Sequence, residues 1–167
     1  MGSGCDQTVS DTATNRGRLF NGLSTNTQFA LGVHMLTLMA FSAPKPLCSD
    51  AMAVSAKANP VHVRRVLGHF RAAGLVASKP GVGGGSHLLQ DPATITLADV
   101  WRIVHGENHL LGSYEGHPDC PVGRNIQPLL IDFDRRARRA LEDELATTTI
   151  SQLASQAVAR ADRHVLA

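Results

Sequence analysis

The stretch Asn59–Leu89, NPVHVRRVLGHFRAAGLVASKPGVGGGSHLL, reads as a helix that runs straight into a narrow hairpin. Asn59 can accept from the free N–H groups of a first helical turn, and Pro60 stands at the first helical position, where its missing N–H costs nothing. Val63, Val66, Leu67 and Phe70 recur at i, i+3, i+4 and i+7, so they must point inward. His62, Arg64, Arg65, His69 and Arg71 are left outward. Gly74 supplies the left-handed residue that closes the helix near Ala73. Leu75–Ser78 and Ser86–Leu89 flank Gly81, Gly83, Gly84 and Gly85 as two short strands.

The glycine run excludes more than it proves. A Walker loop requires Gly-Lys-Ser/Thr opening a helix, whereas here Lys79 precedes the glycines and a strand follows them. A dinucleotide fingerprint fails for the same reason, because no strand-turn-helix surrounds it. A free linker would join two self-sufficient domains, which strand-like flanks contradict. What remains is a slim tip beside a basic helix, suited to a minor groove about 6 Å wide.

Working outward, Gln28–Phe41 is apolar nearly all round and predicts a helix buried on most faces, ended by Ala43, Pro44, Lys45 and Pro46. A second short helix starts at Ser49, read as its N-cap, with Asp50 against the positive end of its dipole. Helix, turn, helix and hairpin together define a winged helix-turn-helix, with the Asn59 helix aimed at the major groove. The DNA-contacting residues expected are Ser49, Val61, His62, Arg64, Arg65, His69, Lys79 and His87. No Asp or Glu lies between Pro60 and Gln90. A solvated helix face is the alternative for the arginines, and the adjoining hairpin favours DNA.

Thr96 predicts the N-cap of a helix carrying Leu97, Val100, Trp101 and Val104, ending near Gly106. Glu107–Gly123 reads as a loop. Ile126, Leu129, Leu130, Phe133, Ala137, Ala140, Leu141 and Leu145 then stripe one side of a helix of about twenty residues. Asp132/Arg136, Asp134/Arg138 and Arg139/Asp143 stand at i, i+4 on its other side. So long a one-sided helix implies a dimer through Ile126, Leu129, Leu130, Phe133, Ala137 and Leu141, with packing on its own domain as the other reading. Thr149–Ala159 predicts a further short helix.

The fold class is thus mainly α with a small β-hairpin wing and a long C-terminal dimerisation helix. The organisation expected is an N-terminal arm (1–24), a winged helix-turn-helix domain (25–106), a sensor loop (107–124) and a C-terminal helical region (125–167). Charge follows it: residues 25–94 hold six Lys/Arg against Asp50 and Asp91, while residues 95–167 hold eight against ten acids. An anionic partner would therefore sit on the first half. The N-terminus lacks the apolar core of a signal peptide and no apolar run approaches the roughly 18 residues of a span, so a cytoplasmic location and no membrane partner are expected.

These stretches resemble the Rrf2 family of winged-helix transcription regulators over roughly Thr25–Leu153. The resemblance rests on SDAMA (Ser49–Ala53), NPVHVRRVLGHFRAAGLVAS (Asn59–Ser78), the wing GVGGGSHLL, ITLADVWRIV (Ile95–Val104) and CPVGRNIQPLL (Cys120–Leu130). It implies a homodimer whose long helices pack across a two-fold axis on a pseudo-palindromic operator in double-stranded DNA, usually as a repressor. Cluster-binding members carry three closely spaced cysteines before that helix. Here Cys120 stands alone, in the place of the last, with Gly123 where some members have a histidine. No cofactor and no iron-sulfur cluster are therefore expected, and the chain resembles the cluster-free branch, some of whose members are thiol sensors. Two departures weaken minor-groove reading by the wing or shift it to Lys79 and His87. Lys79-Pro80 replaces the usual wing arginine, and Ser86 replaces an aromatic.

Cys48 and Cys120 are the redox-sensing candidates, Cys48 because it lies at the start of a helix whose dipole favours a reactive thiolate. His105, His109, His117 and Cys120 have spacing that zinc permits. Gly106 keeps the first two from a shared helical face, so no metal site is assigned. An enzyme using either thiol with a histidine base, or a protein-interaction module, are the rival classes. Neither is supported by a Cys, a His and an acid brought together in sequence.

Overall fold

Ser24 accepts a hydrogen bond from the Thr27 N–H at 3.3 Å. In the computed structural model, which describes residues 24–165 apart from 82, 113 and 115, and no side chain beyond 161, it caps helix α1, Thr25–Ser42. The expected N-terminal arm lies outside the described residues, save for this cap. The helix starts three residues earlier than its apolar run, because Ser24 opens the turn that Gln28 only continues. It is also less enclosed than its composition suggests. Leu31, Met35, Leu36 and Met39 are buried, whereas Phe41 is 65% exposed.

Helix α2 (Ser49–Ala56) and helix α3 (Pro60–Ala72) follow, the latter capped by the Asn59 Oδ1, which accepts from Val61 N–H at 2.8 Å. The cap of α2 is Cys48, whose Sγ accepts from Ala51 N–H at 3.4 Å; Ser49, read as the cap, is the first helical residue instead. Strands β1 (Val76–Lys79) and β2 (Gly85–Leu88) pair antiparallel, Val76 opposite Leu88 and Lys79 opposite Gly85. Gly81 and Gly83 adopt φ of 95° and 73°, so the tip needs glycine for its backbone path, not only for slimness. A third segment joins this sheet. Leu47 exchanges two backbone hydrogen bonds with Ser86 at 3.0 and 2.7 Å, tying the start of α2 to the wing.

Thr96 caps α4 (Leu97–His105) in a reciprocal arrangement with Asp99, the carboxylate accepting from Thr96 N–H at 2.9 Å. Helix α5 (Gly123–Ala146) begins within the expected loop and passes through Pro128. Its first turn is held by Cys120, whose Sγ accepts from Gly123 N–H at 3.4 Å. Helix α6 (Ile150–Val165) is longer than expected and returns to pack on α1. Backbone hydrogen bonds fix the return: Leu97 N–H donates to Thr148 at 3.0 Å, and Ile150 N–H to Ile95 at 2.9 Å.

The core is one cluster drawn from α1, α2, α3, β1 and α4, with Ile95 and Ile150. Met35, Leu36, Met52, Val63, Val66, Phe70, Val100 and Ile150 are fully buried, each such side chain stabilising by about 1.5–3 kcal/mol relative to exposure. Gly32 lets α1 and α3 approach, since a Cβ there would lie 2.7 Å from Phe70 Cζ. Burial of Val63, Val66, Leu67 and Phe70 fixes the rotation of α3 and so decides which of its residues face water. No helix among the described residues is long and apolar enough to cross a membrane.

Candidate nucleic-acid interface

With its apolar side spent on the core, α3 presents Val61, Arg64, Arg65 and His69 as an exposed arc, Val61 at 56%. His62 is half-buried at one edge, and Arg71 is exposed at the other. Arg64 reaches back to Asp50 of α2 at 3.3 Å, both side chains more than half exposed. Such a pair contributes only about 0–1 kcal/mol, so it can orient the guanidinium and still release it to a phosphate. Ser49 is half-buried beside them.

The wing stands against the Arg64 and Arg71 edge of α3. Cys48, Ser49, Arg64, Arg71, Lys79 and Ser86 line one cleft between the start of α2, α3 and the hairpin. Lys79 ends the ladder and His87 projects outward from β2, both exposed. Ser86 is buried, its hydroxyl 2.9 Å from that of Ser78, which explains a small polar residue at that position. The eight residues expected at DNA therefore lie on the start of α2, the outer arc and edge of α3, and the wing.

The other candidates separate. Cys48 and Cys120 are free and exposed, on the starts of α2 and α5, and each sulfur accepts from a backbone N–H. The six dimer candidates are divided by exposure. Leu129 and Phe133 are each 56% exposed, while Ile126, Leu130, Ala137 and Leu141 are half-buried. Arg136 lies over the Phe133 ring, 4.4 Å from its centroid.

The expected i, i+4 ion pairs of α5 are replaced by different contacts. Asp132 pairs with Arg135 at 3.5 Å. Asp134 is buried and accepts from Leu111 N–H at 2.7 Å, with His109 Nδ1 at 3.4 Å. Arg138 donates to the carbonyls of Gly106, at 2.9 Å, and of Asn108. Together they bind the backbone of residues 106–111 to α5. Arg138 also meets His105 Nδ1 at 3.4 Å. His105 is buried and stacked on Trp101, 4.5 Å between centroids. Burial first, and then the Arg138 charge, lower its pKa below 6.5. The Leu111 N–H, foremost, lowers that of Asp134 below 3.8. This latch was missed because its partners are backbone groups of a loop, which no residue pattern announces.

The helix-turn-helix, basic arc and wing define a winged helix-turn-helix transcriptional regulator. A family model described as Rrf2, Iron-dependent Transcriptional regulator, matches residues 25–156, and the chain belongs to that family. YwnA of Bacillus subtilis strain 168, assigned as an HTH-type transcriptional regulator, is 36% identical over 129 residues, covering 77% of this chain and 95% of YwnA. A solved structure assigned as a DNA binding protein shares 33% identity at a TM-score of 0.60, covering 75% of this chain and 97% of that one. CymR, the global cysteine regulator of B. subtilis, shares 24% identity at a TM-score of 0.58, covering 80% and 98%, a likeness that bears on fold.

The family description names iron. A cluster needs several thiolates converging on it. Among the described residues no group of three or more His, Cys, Asp or Glu is placed to hold a metal ion, and the two described thiols lie on different elements. The described residues do not fit such a group.

Proposed function

We propose that the chain is a homodimeric repressor that reads a pseudo-palindromic operator with α3, steadies itself on the flanking backbone with the wing, and works without a bound cofactor. The observation that carries this is the exposed arc of α3, a helix without an acidic residue, beside the cleft that Lys79 of the wing shares with Arg64 and Arg71. Arg64 and Arg65 lie in the first half of α3, where a guanidinium can make forked bonds to guanine. The uncovered stripe through Leu129 and Phe133 supports pairing of two copies through α5. Its occupation of the cytoplasm follows from that role.

Thiol oxidation is the signal that this geometry favours. Cys48 is exposed and lines the same cleft as Arg64, Arg71 and Lys79. Peroxide attacked by the Cys48 thiolate gives a sulfenic acid and releases hydroxide, which takes up a proton to become water. The added oxygen sits where the DNA backbone must approach.

The test is selection of bound duplexes from a pool of genomic fragments by the full chain, followed by gel shift across a range of salt. Sequence-selective, salt-sensitive binding by a dimer is expected. Absence of selection under both reducing and oxidising conditions overturns the reading. Peroxide should weaken binding by the wild type and not by Cys48→Ser.

A further inference from the structure

We propose that the groove between α1 and α6 is a binding site for a small apolar carboxylate, a body of carbon ending in one anionic group, and that its occupancy sets operator affinity. The site itself needs no DNA; only its regulatory role rests on the DNA-binding reading above.

The groove follows from the side chains that the two helices turn toward each other. His34, Thr37, Leu38 and Phe41 recur at i, i+3, i+4 and i+7 along α1 and line one wall. Ala154, Ala157 and Ala161 recur at i, i+3 and i+7 along α6 and, with Leu153, line the other. Alanine ends at Cβ, so α6 meets the bulkier face of α1 without filling the space between them. About 600 Å³ is left open, within the roughly 300–1,000 Å³ of clefts that take small molecules. Phe41 stands 65% exposed on the α1 wall, an apolar ring for an occupant to cover.

Three polar features fix the chemistry of the occupant. Arg160 of α6 is exposed and lines the groove, and no carboxylate among the described residues lines it. A planar guanidinium without an acid beside it favours a carboxylate on the ligand. Thr37 is half-buried, and its Oγ1 is shielded from water with no hydrogen-bond partner among the described residues. Such a group costs stability until something bonds it. Threonine in a helix has two accessible χ1 rotamers, so the hydroxyl can turn to an occupant. Finally, His34 Nε2 stands 3.0 Å from Ser55 Oγ, a contact that joins α1 to α2, and both residues line the same groove. An occupant therefore touches that joint, and α2 packs in turn on α3. Occupancy reaches the DNA-reading helix by that route.

The experiment titrates the full, reduced chain with decanoate below its micelle concentration, in a calorimeter and without DNA. Decanoate should bind one per chain, and each methylene removed toward octanoate should weaken it about fourfold. Decan-1-ol and decylammonium offer the same chain without the carboxylate. Decanoate should bind about fivefold more tightly than decan-1-ol, the upper end for an exposed ion pair, and Arg160→Ala should erase that advantage. Thr37→Val should weaken decanoate about fivefold without lowering the stability of the free chain, a split that a merely structural hydroxyl would not give. Ala157→Phe sets a ring in the groove from an exposed helix position and should abolish binding with thermal unfolding unchanged. Equal affinity for the three decyl compounds, decanoate binding that survives Ala157→Phe, or no binding at all overturns the site. So does a wild-type dimer that Ala157→Phe makes monomeric, since a second copy would then cover the groove. On the duplex that the wild type selects, decanoate should lower affinity about tenfold and leave Ala157→Phe unaffected. Unchanged operator affinity at saturating decanoate overturns the regulatory role. If the wild type selects no duplex, the DNA-binding reading fails instead, and calorimetry still decides the site.

Discussion

Arg65 and Lys79 carry the same charge and should do different work. Arg65 projects from the exposed arc of α3, whereas Lys79 ends β1 at the rim of the wing cleft. Arg65→Ala is expected to cost about 1–3 kcal/mol on the preferred duplex and to relax base preference at one position. Lys79→Ala should weaken all duplexes evenly and reduce the logarithmic salt slope by about 0.9. Binding measured on a panel of single-base variants at several salt concentrations separates them, and identical profiles would contradict the division. Cys48 permits a second residue-level prediction. As an N-cap, its sulfur accepts weakly from Ala51 N–H at 3.4 Å. A serine hydroxyl is the better acceptor, so Cys48→Ser should stabilise the fold by up to about 1 kcal/mol while removing the response to peroxide. Urea unfolding of the reduced proteins checks the first half.

At the scale of elements, the most consequential arrangement is the latch between α5 and residues 106–111. Asp134 and Arg138 are one turn apart, and the pattern suggested that they pair with each other. Instead each meets backbone of the loop. Asp134→Asn should speed hydrogen exchange at Leu111, because the amide that replaces the carboxylate is a weaker acceptor. Acid should loosen the same region in two steps. His105 has a lowered pKa when folded, so the unfolded chain takes up the proton first. Stability is then full above about pH 6.5 and is lost as pH falls through the lower, folded value. Asp134 also has a lowered pKa, and its contribution is lost only below about 3.8. The charges facing His105 are Arg138, which opposes protonation, and Asp134, which favours it. Unfolding free energy measured from pH 7.5 to 5 should fall for the wild type and fall less for His105→Gln. Equal slopes would remove His105 from the account.

For the whole molecule, the question is what covers α5. Only Asp134 of this long helix is buried, and Leu129 and Phe133 stand 56% exposed. Substituting Leu129→Asp/Phe133→Asp should give a folded monomer by sedimentation, with unchanged helix content. Its operator affinity should drop at least tenfold, since each half-site then binds without its neighbour. A variant that remains dimeric would place the pairing surface elsewhere. The same scale shows how α6 serves the DNA-binding domain. It returns to α1, and Ile150 at its start belongs to the common core.

The sequence by itself determined the order of elements, the inward face of α3, the close of that helix at Gly74 and the hairpin. These depend on periodicity, capping and turn chemistry acting within a few residues. The apolar stripe of α5 was legible as a stripe, because a helix shows its two faces in one dimension, but not that Leu129 and Phe133 stand exposed while Ile126, Leu130, Ala137 and Leu141 are half-buried. Only the tertiary structure decided that Leu47 joins the wing through Ser86 and that α6 folds back on α1. It alone turned Asp134 and Arg138 toward a loop more than twenty residues away. Those contacts join groups far apart along the chain, several of them bare backbone N–H and C=O, which every residue carries and which therefore leave no mark in the sequence.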